Sequence, residues 1–91
     1  MLTTANIRST LEIPFPFWRR YIRMNALQDP VYFNVDGDSW LANMAHSQTK
    51  IWVSRGWRPF KQHYNLVAGT RCHFKLIDTN EVQFYVWFDR P

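Results

Sequence analysis

Hydrophobic and polar residues alternate along three stretches of the chain, at residues 31–35, 71–76 and 82–88. A repeat of two residues places successive side chains on opposite faces, which is typical of a half-buried β-strand. The pattern therefore predicts three strands that pack one face on a core. Cys72 belongs to the apolar set of its strand, which indicates a buried structural cysteine.

Turn signals and short apolar segments predict the remaining strands. Asp36-Gly37 is a strong hairpin signal, so the strand at 31–35 is expected to pair with a returning strand from Ser39 to Ala45. Apolar segments at residues 11–13 and 51–53 predict two further short strands.

Two short helices are predicted between these strands. The first runs from about Phe15 to Arg23, with Pro16 in the first turn. Proline is tolerated there because the backbone N–H groups of a first turn have no partner within the helix. The second has Pro59 in its first turn and apolar residues at helical spacing. These apolar residues are Trp57, Phe60 and Tyr64.

The order of elements favours a mainly β architecture. Residues 1–10 and 25–30 lack periodicity and are expected to be loops, as is the polar segment from Met44 to Lys50. The resulting order, βα-ββ-β-α-ββ, favours a small barrel or strongly bent sheet over a parallel α/β fold. At 91 residues, of which 46% are hydrophobic and 18% aromatic, the chain is expected to form one domain over residues 1–91.

Charge is distributed unevenly along the chain, whose net charge is +4. No acidic residue lies between Asp38 and Asp78, although six lysines and arginines do. This separation favours a surface that meets a polyanion. Two groups of basic residues either extend such a surface or simply face solvent. They are Arg19, Arg20 and Arg23 on the first helix, and Arg71, His73 and Lys75 on one strand.

The residues that catalysis or metal binding requires are not found at suitable spacings. The single cysteine and three histidines match no common ligand pattern, and three glycines are too few for a phosphate-binding loop. No nucleophile is paired with a base and an orienting group. We therefore expect no enzyme, cofactor or metal. The chain also lacks a membrane-length apolar run and a signal-peptide pattern. Its single cysteine excludes an internal disulfide framework and fits a reducing intracellular compartment.

Five motifs in a defined order carry a resemblance to a known family. They are Leu2-Thr3-Thr4, Leu11-Glu12-Ile13-Pro14, Gly37-Asp38-Ser39-Trp40, Gly56-Trp57-Arg58-Pro59-Phe60 and Leu66-Val67-Ala68-Gly69. With these motifs the chain resembles the plant B3 DNA-binding domain over nearly its whole length. The resemblance implies an open seven-stranded pseudobarrel with two short α-helices. Trp40, Trp57 and Phe60 are expected to be scaffold residues.

The resemblance also implies a function. Family members bind double-stranded DNA by inserting two loops, or arms, into the major groove. By this resemblance the chain is expected to be a monomeric, nuclear, sequence-specific domain of a plant transcription regulator. Protein partners are possible and no membrane is involved. The arms correspond to residues 4–10 and 43–50, which places the basic row of residues 71–75 away from them, facing solvent.

Eleven residues in or beside these arms are expected to bind DNA. Arg8 can contact guanine, whereas Asn6, Asn43 and Gln48 carry amides suited to adenine. Lys50 is expected to contact the backbone, with Ser54 on the same exposed face, and His46 to reach a base or a phosphate. The hydroxyl residues suited to phosphate are Ser9, Thr10, Ser47 and Thr49.

Three departures from the family pattern leave other functions open. The family's first strand is expected before Leu2 and is largely missing, Phe15 replaces a common basic residue, and Gly69-Thr70 replaces Gly-Asp. One alternative is a protein-interaction module with weak, non-specific DNA binding. Another is a carbohydrate-binding module, which would use exposed aromatic residues. Trp52 and Trp87 are the candidates, since each either stacks on a ligand or packs beneath a helix.

Overall fold

The computed structural model describes residues 1–91. It contains two α-helices, α1 (Phe15–Tyr21) and α2 (Trp57–His63), and a 3₁₀ helix at Met24–Gln28. Neither α-helix has the length that a membrane-spanning helix needs. The eight strands are β1 (Leu2–Asn6), β2 (Glu12–Ile13), β3 (Val31–Val35), β4 (Asp38–Ala42), β5 (Met44–His46), β6 (Ile51–Val53), β7 (Arg71–Asp78) and β8 (Gln83–Asp89).

The strands form two sheets that do not close on each other. The larger sheet has the order β1-β7-β8-β3-β4, and the smaller has the order β2-β6-β5. All neighbouring strands are antiparallel except β3 and β8, which are parallel. The predicted fold class, a mainly β open pseudobarrel with two short α-helices, is confirmed.

One predicted strand is divided between the two sheets. The segment from Ser39 to Ala45 is interrupted at Asn43, which separates β4 from β5. The backbone N–H of Asn43 donates to the Arg55 carbonyl at 2.9 Å, and the Asn43 carbonyl accepts from the Ser54 N–H at 2.8 Å. These bonds turn the chain out of the larger sheet, which gives one strand more than the predicted seven.

Three loop predictions were wrong, each where tertiary contacts order a segment without local periodicity. Within residues 1–10, Leu2–Asn6 forms β1, because it pairs with β7 through backbone hydrogen bonds. This edge strand buries little apolar surface, so it has no apolar periodicity. Within residues 25–30, the 3₁₀ helix buries Ala26 and Leu27. In the polar segment 44–50, Met44–His46 forms β5 through pairing with β6.

The core is built around aromatic rings contributed by the larger sheet and by α2. Phe33 of β3 lies 5.6 Å from Phe60, 5.9 Å from Phe74 and 6.1 Å from Phe84, measured between ring centroids. Trp57 is also buried, and half-buried Trp40 packs edge-on against Phe60 at 5.6 Å. Large rings of this kind dominate the burial energy of a small domain.

Two turns show why glycine stands in the Asp36-Gly37 and Gly56-Trp57 segments. The β3–β4 hairpin has positive φ at both Asp36 (48°) and Gly37 (89°), as the predicted tight turn requires. Gly56 has φ of 92°, and a Cβ atom there would lie 2.6 Å from the Leu41 carbonyl oxygen. Only glycine therefore lets the start of α2 approach β4 this closely.

Candidate nucleic-acid interface

The first arm, predicted at residues 4–10, comprises the end of β1 and most of the loop between β1 and β2, residues 7–11. A buried residue holds this arm at the base of the loop. The backbone N–H of Ile7 donates to the Thr70 carbonyl at 2.8 Å, and the Ile7 carbonyl accepts from the Gly69 N–H at 2.9 Å. Ile7 is fully buried. The segment before β7 therefore anchors the arm where β1 ends.

The other side of this arm is held by α2 and β6. The indole N–H of Trp57 donates to the Ser9 carbonyl at 3.2 Å, and the Val53 N–H donates to the Leu11 carbonyl at 2.9 Å. Between these anchors Arg8 is exposed and has no carboxylate within 4.0 Å. The arm thus combines a fixed backbone with an unpaired guanidinium group.

The second arm is the β5–β6 hairpin, with its loop at residues 47–50. The Ser47 N–H donates to the Lys50 carbonyl at 2.9 Å, and Ser47 Oγ accepts from the backbone N–H groups of Thr49 (3.3 Å) and Lys50 (3.1 Å). This side-chain turn orders the loop without a partner molecule. The hydroxyl proton of Ser47 remains available to a ligand, as do the exposed side chains of His46 and Gln48.

Asn43 and Ser54 lie at the base of the second arm and are bonded to each other. Ser54 Oγ donates to the Asn43 carbonyl at 3.1 Å, so its one proton is already used within the protein. The side-chain amide of Asn43 makes no hydrogen bond within the protein and is half-buried. Ser54 can therefore offer a ligand only an acceptor, whereas Asn43 offers both donor and acceptor groups.

A cleft of about 420 Å³ lies between the two arms. Five of the eleven expected DNA-binding residues line it. They are Asn6, Arg8 and Thr10 from the first side, and Thr49 and Lys50 from the second. The other six do not line this cleft. They are Ser9, Asn43, His46, Ser47, Gln48 and Ser54.

The cleft is also lined by residues that are not among the eleven expected to bind DNA. Thr4 lines it from β1, and Glu12 lines it from β2 together with Pro14 and Phe15. Glu12 is the one acidic residue of the lining, and it makes no ion pair within 4.0 Å. Leu11 and Ile13 on either side of Glu12 are buried, so Glu12 points away from the core and into the cleft.

A second groove, of about 550 Å³, lies on the α2 side of the first arm. Ser9 lines this groove together with Arg58 and Lys61 of α2. Neither Arg58 nor Lys61 has a carboxylate partner. The first arm is therefore bordered on both sides by surfaces that carry unpaired positive charge.

Most of the positive charge of the protein is unpaired. Arg23 is the one lysine or arginine with a carboxylate within 4.0 Å, at 3.9 Å from Asp29. Arg23 lies beyond the end of α1 and also donates to the carbonyls of Thr79 and Asn80, so it links that turn to the rest of the fold. The expected shared face of three arginines is thus reduced to Arg19 and Arg20.

Cys72 has the environment of a structural residue. It is fully buried in β7, and this burial raises the pKa of its thiol well above the ordinary value. A thiol that stays protonated is a poor nucleophile and a poor metal ligand. No group of three potential metal ligands occurs elsewhere in the chain.

Comparison with known proteins connects this geometry to a family. A family model described as "B3 DNA binding domain" matches residues 1–91. Among solved structures, a hypothetical protein of Arabidopsis thaliana superposes with a TM-score of 0.75 at 24% sequence identity. The alignment covers 98% of this chain and 89% of the other, which shows that the two share a fold. No match was found among curated proteins.

Proposed function

The chain belongs to the B3 DNA-binding domain family, and from this membership we propose a specific role. Residues 1–91 form one monomeric domain that recognises a defined sequence in the major groove of double-stranded DNA. The domain acts in the nucleus as part of a plant transcription regulator. Since this family is defined by DNA binding, the chain is assigned no enzymatic activity.

The cleft between the two arms is the observation that carries the proposal. Arg8 and Lys50 line this cleft from opposite arms, and neither is neutralised by a carboxylate. Both arms are held in place by backbone hydrogen bonds, to Thr70 in the first arm and within the hairpin of the second. Pre-ordered arms lower the conformational entropy that DNA binding would otherwise cost.

Base recognition is proposed for residues whose side chains have free donors and acceptors. Arg8 is suited to the paired acceptors of guanine, whereas Asn6, Asn43 and Gln48 are suited to adenine. Asn43 has the strongest support, because Ser54 holds its backbone carbonyl while its side-chain amide has no hydrogen-bond partner within the protein. His46 is exposed on the second arm and completes the proposed base-reading set.

Backbone contacts are proposed for the remaining residues of the arms. Lys50 supplies charge, and Thr10, Ser47 and Thr49 supply hydroxyl donors to phosphate oxygens. Ser9 faces the groove that also contains Arg58 and Lys61, so a phosphate path extends along α2. Ser54 acts through Asn43, because its own proton is already donated to that carbonyl.

One observation favours the alternative of a protein-interaction module with weak, non-specific DNA binding. Glu12 places an unpaired carboxylate in the cleft, and apolar Phe15 lines the same wall. Both reduce attraction for phosphate relative to a wholly basic cleft. Under this alternative the domain would show tight binding only to another protein.

Selection from a random double-stranded DNA library, at one fixed salt concentration, separates the two functions. An enriched motif is expected, and Arg8→Ala should change that motif, whereas Lys50→Ala should weaken binding to all sequences alike. The affinity of the wild-type domain should also fall steeply with added salt, because bound phosphates release counterions. A library that yields no motif, or an affinity that does not respond to salt, would overturn the proposal.

A further inference from the structure

The outward face of the larger sheet carries a row of aromatic and basic side chains. Residues 72, 74 and 76 of β7 and residues 84 and 86 of β8 are buried, so their neighbours point outward. The strand register places His73 opposite Trp87 and Lys75 opposite Tyr85. The row therefore crosses two adjacent strands on one surface.

The three rings of this row are continuous. The rings of His73 and Trp87 are nearly parallel, with 12° between their planes and 5.2 Å between centroids. Tyr85 follows Trp87 at 5.6 Å with an angle of 32°. Tyr85 is 40% exposed, so the row ends in a ring with an accessible face.

The surroundings of the rings suit an anionic ligand. Arg71 and Lys75 are exposed beside the row, and neither has a carboxylate within 4.0 Å. The nearby carboxylate of Asp89 is bonded to His73 Nε2 at 2.7 Å instead. Asn34, opposite Tyr85 on β3, donates to Gln83 Oε1 at 3.3 Å and keeps its own amide oxygen free.

We propose that this sheet face is a second nucleic-acid site, which binds single-stranded DNA or RNA. A base stacks on Tyr85, and the adjoining phosphates contact Lys75 and Arg71. Unpaired bases expose the ring faces that such stacking needs, whereas a duplex hides them. A broad sheet face also cannot enter a groove as the two arms can.

The proposed site adjoins the cleft between the arms but shares no residue with it. None of its residues lines that cleft, although Thr4 and Asn6 of β1, which do line it, pair with His73 and Arg71 of β7. The inference therefore does not rest on the proposed reading of duplex DNA, and the two can fail independently.

Fluorescence anisotropy with labelled oligothymidylate and oligouridylate tests the site in the intact domain. Tyr85→Ala should weaken the binding of both strands by roughly 5- to 100-fold, whereas Tyr85→Phe keeps the stacking ring and should retain affinity. Lys75→Glu should weaken binding and flatten its salt dependence. Equal affinity for the two strands indicates stacking and phosphate contacts, and a preference for oligouridylate indicates an added 2′-hydroxyl contact; either result supports the site.

Two controls make the result specific. Leu41→Ala removes a side chain that is 54% exposed on β4 of the same sheet, and it should leave single-strand affinity unchanged. Lys50→Glu should weaken duplex binding but spare single strands. If wild-type protein binds no single strand at low salt, if Tyr85→Ala has no effect, or if Lys50→Glu removes single-strand binding, the proposal is wrong.

Discussion

The indole nitrogen of Trp57 donates a hydrogen bond to the backbone carbonyl of Ser9 across 3.2 Å. Trp57 begins α2 and is buried in the core, whereas Ser9 lies in the exposed first arm. The bond therefore connects the rigid interior to the loop that carries Arg8. A residue of the Gly-Trp motif that looked like scaffold from the sequence thus also positions the candidate interface.

Replacing Trp57 with phenylalanine should loosen the first arm. Phe keeps an aromatic ring in the core but cannot donate to Ser9, so we expect a loss of about 1–2 kcal/mol in unfolding free energy. Duplex affinity, measured by anisotropy, should fall several-fold because Arg8 is no longer held in place.

Trp40→Phe is the matched control for this change. It removes the equivalent indole donor, which in Trp40 bonds the Tyr64 hydroxyl at 2.9 Å and not a residue of the first arm. We expect a comparable loss of stability and unchanged duplex affinity. Equal loss of affinity in both variants would show that the effect comes from general destabilisation.

Reversing the charge of Lys50 should weaken duplex binding regardless of sequence. Lys50→Glu removes an unpaired cation from the cleft and adds repulsion of phosphate, so we expect a decrease of about ten- to a hundredfold at low salt. The slope of log affinity against log salt should become shallower by about one. Lys75→Glu changes the net charge equally on the sheet face, and a similar loss in that variant would contradict the assignment of the cleft.

Neutralising Glu12 should strengthen duplex binding. Its carboxylate lines the cleft without an ion-pair partner and so opposes the approach of phosphates. We expect Glu12→Gln to raise affinity about two- to fivefold, with the gain shrinking as salt screens the charge. Asp38→Asn, on the exposed start of β4, makes the same charge change outside the cleft and should have no such effect. Reduced affinity in Glu12→Gln would instead indicate that Glu12 contacts a base.

Removing the hydroxyl of Thr70 should stabilise the domain. Thr70 is fully buried, and its Oγ1 has no hydrogen-bond partner, although its backbone groups hold Ile7 and Val67. Thr70→Val keeps the shape and removes the unsatisfied group, so thermal or urea unfolding should show a gain of about 1 kcal/mol. Thr70→Ser keeps the hydroxyl but loses a methyl group, and it should be less stable than the wild type. A destabilised Thr70→Val variant would show that the hydroxyl has a partner in solution.

Much of the fold was predictable from local patterns. The β3–β4 hairpin followed from alternation and Asp36-Gly37, and the two long strands β7 and β8 followed from alternation alone. Both helices were predicted from proline and aromatic spacing, within two residues at α1. These elements carry their own apolar periodicity, so the core they form is visible in the order of residues.

The features that the sequence patterns did not predict correctly share a physical cause. Strand β1 is stabilised by hydrogen bonds to β7, and the break at Asn43 depends on bonds to Ser54 and Arg55. Arg23 was grouped with the helix arginines, yet its partners lie in the turn at Thr79 and Asn80. Partners so distant in sequence leave no trace in a local pattern.

The sequence by itself determined the fold class and the family, because apolar periodicity and the order of five motifs are local properties of the chain; the two arms followed only from the resemblance and stay a prediction. Only the tertiary structure decided which arm residues meet in one cleft, that Glu12 joins them, and that Ser54 has already used its proton. It also placed His73, Trp87 and Tyr85 in one row on the outer sheet face. These relationships depend on strand register and on hydrogen bonds between distant residues, and both are established only when the sheets assemble around the core.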